Sequence, residues 1–578
     1  MLSFMLKWDS KGTMSLWQGA WGTASPKKLS PKKLSPKKPK GDSNAMLRLN
    51  NLPLKLGYSD EDLQRIVANT LKINPSEILS AVLAKRSVDA RKGVQFIASV
   101  DLNVKNEGQI LRKCAKNKNL QKVTPFVMPI YPKRKTAHPP VVIGCGPAGL
   151  FTADVLAQAG LCPILLERGK PVSERQKSVA AYHSTGVLDP ESNVQFGEGG
   201  AGTFSDGKLN TGTKSPQIRQ VLQTFVDCGA PDEILWQAKP HIGTDKLAEC
   251  IPTLRRRIEQ NGGQVLFGAK CIGFTAQNGH IVSVEYVQGG VEKSIRSDAA
   301  IFAVGHSARD VFAMFQNKSM AMEQKAFSLG VRIEHRQRDI DKMCYGTAAS
   351  HPALGAASYK LAAHLPDGRG VYTFCMCPGG VVQAAASEAE TVVTNGMSCF
   401  ARDGENANSA LLVGISPADF GSDDVLAGVA LQRKIEHDAF LAGGSTGKAP
   451  VTLLEDFLKD QQPRCFGDVQ PSYPLGTVLE KPESCLPKFV CDALRAALPK
   501  LDSGLHGFLR NDAVLTAPET RSSSPVRVLR NAETLESVSV RGLYPCGEGA
   551  GYAGGIVSAA VDGIRCAERI IQRISDDL

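Results

Sequence analysis

The sequence predicts an α/β protein: a doubly wound, Rossmann-like dinucleotide-binding domain, interrupted by an inserted α+β domain and preceded by a small ferredoxin-like domain. Three observations predict it. Val141-Val142-Ile143 runs into glycines at 144, 146 and 149, then into a helix-forming stretch, then into Ile164-Leu165-Leu166-Glu167. A second glycine-rich loop, Gly542 to Gly555, opens another apolar helix pattern, Ile556 to Ile571, near the end of the chain. Ahead of both, residues 46–130 carry strand and helix patterns in the order βαββαβ. A chain of 578 residues is too long for one core and divides into several domains.

Residues 1–45 hold nine lysines against two aspartates, so this tail supplies +7 of the formal +11. Within it Ser25-Pro26-Lys27-Lys28-Leu29 repeats at Ser30 and again at Ser35. Such a segment cannot assemble a core and is expected to be disordered. SPKK repeats resemble the minor-groove-binding tails of linker-histone-like proteins, so residues 25–40 offer a weak, salt-sensitive nucleic-acid contact. The scarcity of acids also fits an organellar transit peptide, which the lysines in place of arginines argue against. No apolar run reaches the roughly 18 residues of a membrane span, and 15 scattered cysteines read as reduced thiols of a cytoplasmic protein.

In residues 46–130, Met46 to Leu56 reads as a strand, and Ser59 caps a helix whose first turn is acidic. Strands at Leu79 to Arg86 and Val94 to Leu102, a helix at Gln109 to Lys116 and a strand at Gln121 to Val127 complete the order. Prolines 129, 132, 139 and 140 mark a linker, and the dinucleotide domain runs from 137 to 325 and resumes over 505–578. In its glycine turn, Gly144 permits the bend, Gly146 lets backbone approach a pyrophosphate, and Gly149 lets the helix pack on the strand. Pro147 and Ala148 open a helix whose free N–H groups face phosphates. Glu167, 23 positions after Gly144, can accept hydrogen bonds from ribose hydroxyls. Arg168 and Arg175 follow within reach of the AMP phosphate or ribose.

The late loop Cys546-Gly547-Glu548-Gly549-Ala550-Gly551-Tyr552-Ala553-Gly554-Gly555 resembles the second flavin-binding motif of FAD oxidoreductases. The resemblance implies that Glu548 holds the ribityl chain, although that family has Asp there. It also implies that Gly547, Gly554 and Gly555 bring a helix N-terminus to the flavin pyrimidine, where its dipole favours reduced flavin. Ala299 to Phe302 leading to Gly305 looks like the strand-then-glycine element found midway through such domains. By the same likeness the backbone at Ala269 to Cys271 contacts the adenine. Noncovalent FAD is therefore the expected cofactor.

Residues 326–504 mix strand patterns (Ser328 to Ile333, Gly370 to Phe374) with helices (Val425 to Phe440, Val451 to Lys459) and should roof the flavin as a substrate domain. Four stretches, Ser192 to Leu209, Phe374 to Gly380, Asn395 to Ser398 and Glu519 to Arg527, are similar to a bacterial and plastid family of uncharacterised FAD-dependent dehydrogenases, also described as NAD(P)/FAD-dependent oxidoreductases. That resemblance covers the chain from Met46 onward and implies FAD, a ferredoxin-like first domain and an oxidoreductase. It also implies that backbone at Gly200 and Gly202 runs along the isoalloxazine, with Lys208 beside the reacting face. Arg521 and Arg527 would face the same cavity, where a guanidinium fork suits a substrate carboxylate or phosphate. The plain alternatives are a surface lysine and internal salt bridges.

The pair Cys375 and Cys377 is too closely spaced for a common redox loop and reads as two strand positions. No second strand-GxGxxG-helix unit occurs, so NAD(P)H would only visit as an electron donor. No zinc-type cluster, P-loop or nucleophile elbow stands out, so no metal is expected. Two function classes follow. One is an FAD oxidoreductase passing hydride between a small, anionic substrate and flavin N5, with an electron acceptor the sequence does not name. The other is a flavin-binding scaffold or redox sensor whose tail and first domain bind nucleic acid or a protein.

Overall fold

The computed structural model describes residues 46–576 and, before them, the backbone of one antiparallel pair, Leu6–Trp8 with Met14–Leu16. The SPKK repeats lie outside the described residues. From Met46 to Val123 the chain forms strand Met46–Leu54, helix Asp60–Leu71, strands Ile78–Asp89 and Gln95–Val104, helix Glu107–Lys113 and strand Leu120–Val123. The last strand pairs antiparallel with the first, and the sheet order places Gln95–Val104 between Met46–Leu54 and Ile78–Asp89. Ser59 caps the first helix: its hydroxyl accepts from Asp62 N (3.1 Å), and the Asp62 carboxylate accepts from Ser59 N in return.

The second unit is built on a five-stranded parallel sheet ordered Leu543–Pro545, Ala300–Phe302, Val141–Ile143, Ile164–Glu167, Gln264–Phe267. Its short strands are apolar on both sides because both sides are covered. Alternation divides them cleanly. Val142, Leu165, Ile301 and Tyr544 join a core with helices Pro147–Gln158, Gly243–Gln260 and Ile556–Asp576. Val141, Ile143, Leu166 and Phe302 point the other way, into a core with Phe274 of a three-stranded antiparallel sheet (residues 269–296) and Phe315 of helix Arg309–Asn317. The first and last helices cross so closely that a Cβ at Gly563 would stand 2.2 Å from the Ala148 carbonyl oxygen.

A seven-stranded sheet forms the roof, ordered Ala362–His364, Gly370–Cys377, Asn406–Ile415, Phe327–Arg336, Val514–Glu519, Ala449–Leu453, Thr477–Leu479. Two expectations change here. The sheet takes Val514–Glu519 from beyond residue 504, between Phe327–Arg336 and Ala449–Leu453. The stretch expected as a helix from Val451 is a strand to Leu453 and a helix only over Leu454–Leu458, because Val451 and Thr452 are wholly buried between neighbouring strands. Among the described residues no helix is long and apolar enough to cross a membrane.

Candidate active site

A cavity of about 960 Å³ opens between the parallel sheet and the roof. Its floor starts at the glycine turn. Gly144 (φ +100°) sits so near the next strand that a Cβ would meet Ala303 O at 2.5 Å, and a Cβ at Gly149 would overlap Gly144 O at 1.9 Å. Gly146 precedes helix Pro147–Gln158, which no side chain caps, so its first N–H groups remain available to an anion. Gly200 approaches Gly146 so closely that a Cβ there would lie 2.9 Å from Gly146 Cα, and Gly202 lies under Ile556. At Gly305, Gly554 and Gly555, all lining the cavity, a Cβ would meet nothing within 4 Å. Gly547 lies one step back, its missing side chain giving room to Ala148. A string of bare backbone around an open space, with an uncapped helix end, fits a dinucleotide cofactor.

Glu167 lines the cavity, but its carboxylate already has partners. It accepts hydrogen bonds from Cys145 N (2.8 Å), Gly169 N (2.8 Å) and Gly197 N (2.9 Å). One buried acid thus ties the glycine turn, its own strand end and the 193–200 loop together. Cys271 and Lys270 line the same end.

Four arginines depart from expectation. Arg168 lines the cavity but is held by Glu191 (2.5 Å) and Asp310 (3.0 Å) across the face of Phe196. Arg175 is wholly buried and donates to the carbonyls of Asn193, Val194, Glu198 and Gly200 at 2.7–2.9 Å, so it braces the loop instead of meeting a phosphate. Arg521 borders the cavity, yet its fork grips Glu436 (2.9 and 3.0 Å) and its remaining nitrogen reaches Ser307 and Ser387. Glu436 also pairs with Arg309 (2.8 Å), and the two guanidinium groups hold its carboxyl well below the usual range despite burial. Arg527 lies outside the cavity on strand Val526–Val528, paired with Glu323 at 2.8 Å. Arg521 has no free fork for a substrate anion, because it is committed to a buried internal carboxylate, and Arg527, in a half-exposed pair with Glu323, does not reach the cavity.

Lys208 does face the cavity, 2.9 Å from Asp206, and its ammonium donates to the Met376 carbonyl. Burial works against its charge, but Cys377, Cys375 and Asp206 outweigh that and hold its pKa up. Asp206 also accepts from Ser398 and lies 3.6 Å from His241 and 3.5 Å from Arg402.

Sequence reading missed His306 in the wall and Arg332 in the roof behind it. His306 lines the cavity with Nε2 3.8 Å from Glu548; burial, then Arg521 and Arg309, push its pKa down to about 3, so it stays neutral. Glu548 also lines the cavity and is pushed by burial up to about 7. Arg332, wholly buried in the roof, pairs with Glu519 (2.7 Å) and donates to Cys375 O (2.9 Å), Asn408 and Asn395. Its signal was a charged residue between Val331 and Ile333 in the middle of a strand. Cys546, Asp562 and Cys566 bring ligand atoms within 4.8 Å of one another, but Arg530 occupies Asp562 at 2.7 Å.

Comparison with known proteins adds the family. Residues 326–522 match the family model described as FAD-dependent protein, C-terminal domain-like, and residues 46–105 match a domain of unknown function. An uncharacterised protein of Clostridium beijerinckii is 44% identical over 531 residues, covering 91% of this chain and 99% of the relative. Similar solved structures include the flavin-dependent brominase Bmp2 (13% identity, 76% and 80% of the two chains, TM-score 0.35). A flavoprotein/dehydrogenase from Cytophaga hutchinsonii is 12% identical over 77% and 79%, at a TM-score of 0.34. Likeness at that level says nothing about substrate.

Proposed function

The chain belongs to the same family as its uncharacterised Clostridium beijerinckii relative, its residues 326–522 match an FAD-dependent family model, and from that premise we propose that it oxidises or reduces a small anionic substrate held beneath the seven-stranded roof. One observation carries the reading: a single cavity of about 960 Å³ is lined at one end by Gly144 to Ala148 and at the other by Thr373 to Met376. That volume lies within the roughly 300–1,000 Å³ of ligand sites.

In this reading Gly146, Pro147 and Ala148 receive the pyrophosphate, Glu167 the ribose, and backbone near Cys271 the adenine. Gly200, Gly202, Gly305 and the loop of Gly547, Glu548, Gly554 and Gly555 surround the flavin ring and its ribityl chain. Bound FAD supplies a hydride acceptor or donor that no side chain can replace. The protein's share is orientation and charge. Lys208 has three ammonium hydrogens, of which Asp206 and the Met376 carbonyl engage two, leaving one for a substrate carboxylate or phosphate. Glu548, poised at about 7 beside neutral His306, can hold or release a proton at neutral pH.

The test is anaerobic mixing of the yellow protein with panels of carboxylate and phosphate substrates and with NADH and NADPH. A bleach of the visible flavin absorbance by an anionic donor, weakened in Lys208→Met at unchanged FAD content, is the expected result. A protein that cannot take up FAD overturns the cofactor assignment. Equal ligand affinity in Lys208→Met overturns the anion site alone.

A further inference from the structure

The roof strand Gly370–Cys377 carries a feature its sequence pattern does not suggest. It runs in register with Asn406–Ile415 until Phe374 faces Ala410, and the next partnered residue is Cys377 with Asn408. One extra residue is therefore bulged out. Cys375, inside the bulge, has φ +44°, a left-handed conformation that side chains other than glycine rarely take. The bulge is held from two sides, by Arg332 donating to the Cys375 carbonyl (2.9 Å) and by Lys208 donating to the Met376 carbonyl. Cys375 is half-buried and lines the cavity, whereas Cys377 is buried, with its Sγ donating to the Cys375 carbonyl at 3.2 Å.

We propose that Cys375 and Cys377 form a redox-active thiol pair on the cavity wall, which a hydroperoxide converts to an intramolecular disulfide. The two sulfurs are unequal. The Cys377 thiol, then Lys208 and Arg332 against the cost of burial, hold Cys375 well below the ordinary thiol range. Burial first, and the neighbouring Cys375 second, push Cys377 well above it. The acids nearby do not cancel this: Asp206 is paired with Lys208 and Glu519 with Arg332, and Glu548, the third carboxyl to sense Cys375, is held up near 7.

The chemistry needs a thiolate to attack the peroxide and a neighbouring thiol that gives up its proton as it attacks the resulting sulfenic acid. In the first step the Cys375 thiolate attacks one peroxide oxygen and the O–O bond breaks, giving a sulfenic acid and, after protonation, water (or an alcohol from an organic hydroperoxide). In the second, the Cys377 sulfur attacks the Cys375 sulfur. The S–O bond breaks, the S–S bond forms, and the departing hydroxide takes the Cys377 proton to leave as water. Two thiols and one peroxide thus give one disulfide and two waters, with two electrons passing to the peroxide. The inference does not depend on which substrate the flavin cavity accepts.

The experiment uses the full-length, flavin-loaded protein treated with one equivalent of hydrogen peroxide, alkylated and mapped by mass spectrometry. The expected product is a Cys375–Cys377 disulfide formed before any oxidation of the exposed Cys162 and Cys465. Cys377→Ser should stop at a dimedone-reactive sulfenic acid on Cys375, and Cys375→Ser should give neither. Alkylation of Cys375 by iodoacetamide should already be near its plateau at pH 7. Cys375 alkylating no faster than Cys465 at pH 7, or peroxide oxidising the exposed cysteines while Cys375 stays reduced, overturns the proposal. Both readouts are made on the wild type, so a misfolded variant leaves it fully tested.

Discussion

Replacing Glu167 separates the ribose role read from the sequence from the clamping role the structure adds. If the carboxylate served only the ribose, Glu167→Ala would cost FAD affinity and leave the flavin-free protein as stable as before. The structure predicts otherwise, because three backbone N–H groups, from Cys145, Gly169 and Gly197, donate to this buried carboxylate. A hydrogen bond to a charged acceptor contributes about 1.5–3 kcal/mol. Three of them, discounted for water entering the space left by the side chain, come to about 4 kcal/mol. For domains of this size that corresponds to a midpoint lower by roughly 10 °C. If FAD binding must then reorder the loop, its affinity falls by up to about 1,000-fold, at 1.4 kcal/mol per factor of ten. Glu167→Gln refines the test. Its amide oxygen can serve Gly169 and Gly197, but its NH2 would face the Cys145 N–H, donor against donor, so it should fall between wild type and Ala. The assay is thermal unfolding of flavin-free protein beside FAD titration by fluorescence. Flavin-free Glu167→Ala melting within a degree of wild type, with only FAD affinity reduced, refutes the clamp and restores the simpler ribose contact.

Glu436→Ala should cost about 3–5 kcal/mol, since it leaves Arg309 and Arg521 buried without their shared carboxylate; an unchanged denaturant midpoint would free Arg521 to be a substrate anchor after all. Arg521→Lys should likewise lower the midpoint, by about 1–3 kcal/mol, more than it changes ligand affinity, because the fork on Glu436 is lost while the charge stays. Arg175→Met should loosen residues 193–200, whose four carbonyls lose their donor, and limited proteolysis of the flavin-free protein should show new cleavage there. Glu548, raised by burial from its ordinary 4.5 to about 7, stays protonated in the folded protein while the unfolded chain ionises. Its contribution therefore weakens folding as pH rises from 4.5 to 7, by at most about 3 kcal/mol. Glu548→Gln should accordingly melt higher than wild type at pH 8 without FAD and equal it below pH 4.5; a constant offset across that range would contradict the burial argument.

What was legible in the chain follows from how local each feature is. The glycine turn and the strand Val141–Ile143 leading into it depend on backbone freedom and an apolar β-branched run, which neighbouring residues display. The strand Ala449–Leu453 was less so: its apolar run suits a helix as well as a strand, and only its place between Val514–Glu519 and Thr477–Leu479 decides. The bulge at Cys375 was invisible, because a bulge is a mismatch of register with a strand some 30 residues away. The arginines failed for a further reason. Arg521 meets Glu436 across 85 residues and Arg332 meets Glu519 across 187, so no window of sequence contains both partners. Physics nonetheless narrows the choice. A guanidinium at a cavity wall must exist in the protein before any ligand arrives, and an unpaired buried charge costs several kcal/mol. Deeply buried cations beside a binding site should therefore find internal carboxylates first. On the proposed reading, that leaves recognition of an anion to a cation with hydrogens to spare at the open wall, such as the ammonium of Lys208.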